Sequence, residues 1–230
     1  MSKGLDSYSG RLTASEIAAG MNAARRNAQR LCSDASLLLE QERYPSAAAL
    51  AVLSIEEAGK TSILRRLAVA TDDEDIAECW RSYRWHTKKN VAWLLPQLVA
   101  GGARRLDDFA PLFDEDSDHP KLLDQVKQIS FYSDCLGDRH WSEPYDVIDE
   151  DLATHLVTIA QVLGTGQEVS EKEIELWIKH LKPVWNLSPE LMRQALEHWY
   201  EDMQKHDLAP EGRNRMRQFI DAGFQSHPDS

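Results

Sequence analysis

The chain has 230 residues, 42% of them hydrophobic and 28% charged, with a formal net charge of −12. That length supports one sizeable domain with its own core, or one domain with a helical extension, without disulfides or a structural metal. The composition excludes wholesale disorder; no run nears the ~18 apolar residues of a membrane span, and the polar start Met1–Arg11 does not read as a signal peptide.

Taken in chain order, helix signals dominate and strand signals are nearly absent. Thr13-Ala-Ser-Glu16 reads as a capping box, in which the threonine oxygen and the glutamate carboxylate satisfy orphan amides of a first helical turn. Ile17, Met21, Ala24, Ala28, Leu31, Ala35 and Leu38 then recur at steps of three and four, one stripe on a long helix. Tyr44-Pro45 ends it, because proline disfavours helical geometry in the residue before it. Residues 46–70 predict a second helix, apolar on every side from Ala47 to Leu53 and over most of Ile63 to Ala70, as a central, buried helix would be.

Thr71-Asp-Asp-Glu74 is another capping box, with Asp75 also in the first turn, where the helix dipole favours anions. It opens a third helix whose stripe runs through Ile76, Trp80, Tyr83, Thr87, Val91, Leu94 and Leu98 to Gly101-Gly102. Residues 103–119 read as an acidic loop, 120–136 as a fourth helix, and Gly137–Pro144 as a turn. Three or four shorter helices follow. Asp149 or Asp151 caps one reaching Leu163, and Ser170-Glu-Lys-Glu173 opens one to about Leu181. Ser188-Pro189 starts another, and the last covers about 211–223. The fold class is all-α: a four-helix domain over 1–145 and an acidic helical extension over 146–230.

The charge is unevenly spread. Residues 1–100 hold 13 Lys/Arg against 12 Asp/Glu, and residues 101–230 hold 13 against 26. The acidity of the whole chain therefore says little about any site in the first part. Within that part, Glu56-Glu57-Ala-Gly59-Lys60 interrupts an apolar helix. Glu56 and Lys60 are four apart and share a face, so an ordinary surface pair is the plain alternative. With apolar flanks all round, at least one charge is expected to be partly buried, where it needs partners. Gly59, costly in a helix, points to close approach of another backbone.

In the third helix, Cys79–Lys89 holds four cations, one histidine and three aromatics with no acid. Arginine pairs with phosphate and aromatics stack on bases, so this run suits nucleic acid; a solvated basic face over core aromatics is the rival. Cys32, Cys79 and Cys135 lie far apart and read as free thiols of a reducing cytosol. No paired Glu-x-x-His, phosphate-cradling glycine loop or Gly-x-Ser-x-Gly turn occurs, so neither a metal nor another cofactor is expected. Asp116-Ser-Asp-His119, the nearest to a Glu-x-x-His step, falls in the presumed loop. His155, His180, His198 and His206 read as surface or packing residues, and Trp177, Trp185 and Trp199 as core or interface aromatics. Arg139-His140 beside Trp141 is a candidate border of the basic cleft.

The run Ala48–Lys60, with its Glu56-Glu57-Ala-Gly59-Lys60, resembles the signature helix of the AbiV-type abortive infection proteins, a branch of the HEPN superfamily (higher eukaryotes and prokaryotes nucleotide-binding). Arg84-Trp-His86-Thr-Lys-Lys89 resembles that family's next helix, and Phe131-Tyr-Ser-Asp134, with Trp141 and Pro144, the one after. The resemblance covers roughly residues 12–145 and implies an HEPN-like four-helix bundle, usually a homodimer, acting in phage defence. Many HEPN proteins are metal-independent ribonucleases using an Arg-x(4–6)-His motif, and Arg81-Ser-Tyr-Arg-Trp-His86 has that spacing. Ser82 stands where Asn, Asp or His often follows the arginine.

On a regular helix a five-residue step sets Arg81 and His86 about 140° apart, so their convergence requires a distorted helix or a second subunit. The expected reaction is attack of a ribose 2′-OH on the adjacent phosphate. His86 serves as general acid/base, and Arg81 or Arg84 stabilises the charged phosphate. Glu56, Glu57 and Lys60 support them, and Lys88, Lys89 and Trp85 contact RNA. A phage-encoded activator protein is a further expected partner, in the cytoplasm and away from membrane. The alternative is a non-catalytic module that binds RNA or protein.

Overall fold

The computed structural model describes residues 6–113 and 118–222. Eleven α-helices, three 3-10 helices and one small hairpin make up the regular structure among these residues. The acidic run at 114–117 lies outside them, as does the end of the last expected helix.

Helix α1 (Ala14–Glu40) starts at the expected capping box: Thr13 Oγ1 accepts from the Glu16 amide at 3.2 Å, and the Glu16 carboxylate accepts from the Thr13 amide at 2.8 Å. Its stripe from Ile17 to Ala35 is buried against α2 (Tyr44–Val69), which carries Pro45 in its first turn. Ala47, Ala48, Ala49 and Ala51 are fully buried, so small side chains let neighbours close on α2 from several sides. Ser54 is tolerated in that interior because its hydroxyl donates to the Ala28 carbonyl at 2.8 Å.

The third helix of the sequence pattern is divided. Helix α3 (Asp73–Arg84) ends at Trp85, which is extended (φ −86°, ψ 124°), and α4 (His86–Lys89) restarts at once. Fully buried Asn90 donates to the Pro120 carbonyl at 3.3 Å and precedes a 3-10 turn, Val91–Leu94, and α5 (Leu95–Ala100). Apolar spacing registers the stripe but not the break; the break turns α4 back onto α2.

Helix α6 (His119–Phe131) is shorter than its pattern suggests. The antiparallel strands β1 (Asp134–Leu136) and β2 (His140–Ser142) follow, with Cys135 opposite Trp141. Gly137 at φ +47° and Arg139 at φ +70° turn the hairpin, a geometry open to glycine and tolerated here by one arginine.

Helices α7 (Pro144–Val147) and α8 (Glu150–Leu163) come next, the latter capped by Asp149. The main core runs on through α8: Ala153, Leu156, Val157 and Ala160 pack with Ala51, Val52 and Ile55 of α2. Helix α9 (Glu171–Leu181), capped by Ser170, lies on α1 and α2, with Ile174 in the core formed by Ile17, Leu64 and Trp80. Helices α10 (Pro189–Lys205) and α11 (Arg215–Asp221) are the last two among the described residues. Among the described residues, no helix is long and apolar enough to cross a membrane.

Two polar clamps hold α9 and α10 in place. Arg65 of α2 ion-pairs with Glu173 and lies over the rings of Trp177 (5.0 Å) and Trp199 (5.7 Å), which themselves meet edge to face. Between α9 and α10, buried Asp202 accepts from Lys179 at 2.6 Å, Lys205 at 2.9 Å and His180 Nε2 at 2.8 Å. Those bonds, Lys179's foremost, hold its carboxyl well below the usual carboxylate range.

A depressed folded pKa stabilises above the unfolded value of about 4 and stops doing so as pH falls through the folded one. With Lys179 and Lys205 mostly exposed, Asp202→Asn is expected to cost only about 1–2 kcal/mol at pH 7. The cost should shrink below pH 4. Urea midpoints at pH 7 and pH 3 check this, and an equal loss at both would refute the assignment.

Candidate functional site

The centre is Glu56, on α2 and only 2% exposed. A lone carboxylate there would cost several kcal/mol, and three side chains from two other helices answer it. Lys127 of α6 donates to Oε1 at 2.6 Å; His86 of α4 lies with Nδ1 2.7 Å from Oε2; Lys89 brings its ammonium to 3.7 Å. Lys127 also pairs with Asp124 at 2.7 Å, one turn earlier on α6. Burial works to lower the pKa of Lys127, but its contacts with Asp124 and Glu56 prevail and hold it above the ordinary lysine value. In Lys89 burial wins and pushes the pKa down, against the pull of Glu56.

The expected Glu56–Lys60 pair is not what forms. Lys60 takes Glu57 instead, at 2.5 Å, and sits 5.1 Å from the centre of the Tyr83 ring. Glu56 faces inward toward α4 and α6 while Glu57 stays toward the rim, since adjacent helix positions do not share a face.

Gly59 explains how α4 comes so close. A Cβ on it would stand 1.9 Å from the Lys89 carbonyl oxygen, so only glycine admits this crossing. The break at Trp85 and the absence of a side chain at Gly59 together aim His86 at Glu56. In the neutral form, Nδ1 donating to the carboxylate leaves the lone pair on Nε2, and the side chain is 55% exposed. This is a carboxylate-oriented imidazole on an exposed side chain.

The other expected site residues divide into two groups. Trp85 and Lys88 are exposed beside His86, whereas Lys89 is buried with its ammonium inside the cluster. Arg81 is held by Glu78 at 2.5 Å on an exposed face, and Arg84 stacks over Trp80 and bonds the Tyr8 carbonyl. Neither arginine is hydrogen-bonded to His86. Arg139 and His140 are exposed on the hairpin turn. Cys79, buried, has its thiol pushed up to about 11 by desolvation and is no nucleophile at neutral pH.

Sequence reasoning missed Lys127 and Asp124. Their signal lies in the α6 stripe, where His119, Leu123, Lys127 and Ser130 form the buried face and a lysine occupies a position that pattern reserves for an apolar residue. As for metals, Glu56, His86 and Asp124 each offer one ligand atom, all within 4.8 Å of one another.

Two substitutions test this construction. Glu56→Ala removes one of the two carboxylates that compensate the buried ammonium of Lys127, and the one that faces Lys89, and is expected to cost about 3 kcal/mol in urea unfolding; a loss under 1 kcal/mol would mean the cluster holds nothing together. Gly59→Ala should cost about 3 kcal/mol by overpacking. It should also raise hydrogen exchange in residues 85–90, as α4 is forced off α2; unchanged exchange there would contradict the close crossing.

No curated protein and no solved structure matches the chain significantly. The family model described as AbiV (HEPN_AbiV) matches residues 16–165, which span α1 through α8 and every member of the Glu56 cluster. By that match, and with an all-α bundle built around the Glu-Glu-x-Gly-Lys helix, the chain belongs to the AbiV family of HEPN abortive infection proteins.

Proposed function

We propose that this protein is a metal-independent endoribonuclease of phage defence. The observation that carries the reading is the Glu56–His86 pair: an imidazole held through Nδ1 at 2.7 Å on a side chain that is 55% exposed. In the proposed step, Nε2 of neutral His86 takes the proton of a ribose 2′-OH as its oxygen attacks the adjacent phosphorus. The bond to the 5′-oxygen breaks, that oxygen takes a proton from water, and a 2′,3′-cyclic phosphate remains. Glu56 keeps the Nδ1 proton in place and stabilises the imidazolium formed.

The phosphate is met by Arg81 and Arg84. Arg81 is tied only to Glu78, an exposed pair of the sort worth at most about 1 kcal/mol, so a phosphodiester can replace the carboxylate at little cost. Lys88 supplies a further exposed cation, and Trp85 an exposed ring on which an unpaired base can stack. A homodimer that sets two such helices side by side would double the basic surface, and a phage-encoded protein would release the activity in the cytoplasm. The pairing of Arg81 with Glu78 rather than His86 favours one second reading, a non-catalytic module that binds RNA or protein.

His86→Ala is expected to lower RNA cleavage by about a hundredfold or more while leaving the fold intact. Arg81→Ala should lower it too, and Trp85→Ala should weaken RNA binding. The measurements are growth arrest, RNA integrity in phage-infected cells, and thermal denaturation of each variant. Folded His86→Ala and Arg81→Ala variants that cut and protect like the wild type would leave the binding module as the answer.

A further inference from the structure

Glu56, His86 and Asp124 come from α2, α4 and α6 and present two carboxylate oxygens and an imidazole nitrogen within 4.8 Å of one another. That donor set suits a first-row divalent ion such as Zn2+ or Mn2+. Its centre, however, is already held by a cation. The Lys127 ammonium lies 2.6 Å from Glu56 Oε1 and 2.7 Å from Asp124 Oδ1, bridging the two carboxylates that would bind an ion. The Lys127 side chain is 6% exposed, so water competes little for either bond.

Lys89, 3.7 Å from Glu56 Oε2, adds positive charge to the same side. A divalent ion placed between the carboxylates would meet an ammonium at contact distance. Lysine and metal are therefore mutually exclusive occupants.

We propose that Lys127 is the built-in cation of a three-ligand metal centre. It neutralises Glu56, ties Glu56 to Asp124 and, through Glu56, keeps His86 aligned, as a divalent ion would. It is a positioning residue: its ammonium reaches His86 only by way of the Glu56 carboxylate. Removing the ammonium should convert the cluster into a true metal site. The proposal does not rest on RNA cleavage, and its test contains no RNA, so either reading can fail alone.

The test is calorimetric titration of the full chain with Zn2+ and, separately, Mn2+, alongside thermal denaturation with and without the ion. Wild type and the charge-preserving Lys127→Arg should show no saturable site. Lys127→Ala should take up one equivalent, at least about tenfold more tightly than wild type, and be stabilised by it. A second substitution, His86→Ala or Asp124→Asn, should abolish that uptake.

Lys127→Gln, which retains a hydrogen-bond donor, is the companion if Lys127→Ala folds only when the ion is present; that dependence would itself support the proposal. Equal affinity in wild type and variant would overturn it. So would a folded variant with no gain, or failure of both variants to fold even with the ion supplied.

Discussion

A carboxylate buried in the middle of an apolar helix sets the terms for the functional half of this molecule. Glu56 lies at the heart of α2, 2% exposed, where an unpaired charge is worth several kcal/mol against folding. Its partners come from elsewhere in the chain because α2 itself has none to offer: Lys60, the nearest cation on the helix, is taken by Glu57. So α3 breaks at Trp85, α4 turns inward, position 59 has no side chain, and α6 carries a lysine on its buried face. Each of these departures from regular pattern is a consequence of the one charge.

The same helix couples the site to the rest of the chain. Five residues beyond Lys60, Arg65 is gripped by Glu173 and by the tryptophan rings of α9 and α10. Between those points α2 buries Ile63 and Leu64. The contacts of α9 and the turn that carries Glu56, Glu57 and Gly59 thus lie on one continuous helix. The charge split crosses this arrangement: the near-neutral first part holds Glu56, His86 and Lys89, and the acidic remainder contributes Asp124 and Lys127 to the cluster and Asp202 to the fastening of α9 to α10.

Much of the fold was legible from local rules. Thr13, Ser170 and Ser188 cap helices where their spacing from the following residues says they should, because capping involves only neighbouring amides. The apolar character of residues 46–70 identified the central helix, and Gly59 announced a close crossing before its partner, the Lys89 carbonyl, could be named. Of the hairpin at 134–142, the sequence pattern assigns 134–136 to the end of the fourth helix and the rest to a turn, since strands of three residues carry no usable alternation. The unbroken stripe from Ile76 to Leu98 hid the break at Trp85, because helical periodicity survives a short interruption that keeps the buried face in phase.

The amino-acid sequence alone determined the helical class, most of the helix starts, the buried central helix and the family resemblance, and it singled out Glu56 and His86 separately. All of these rest on short-range spacing or on residue type. Only the tertiary structure decided which charge pairs with which. Glu56 meets His86 thirty residues away and Lys127 seventy-one away, and passes over Lys60, its helical neighbour. The reason is physical: spacing along a helix ranks partners by proximity, whereas a buried charge ranks them by which cations the surrounding helices can bring into the same dry space.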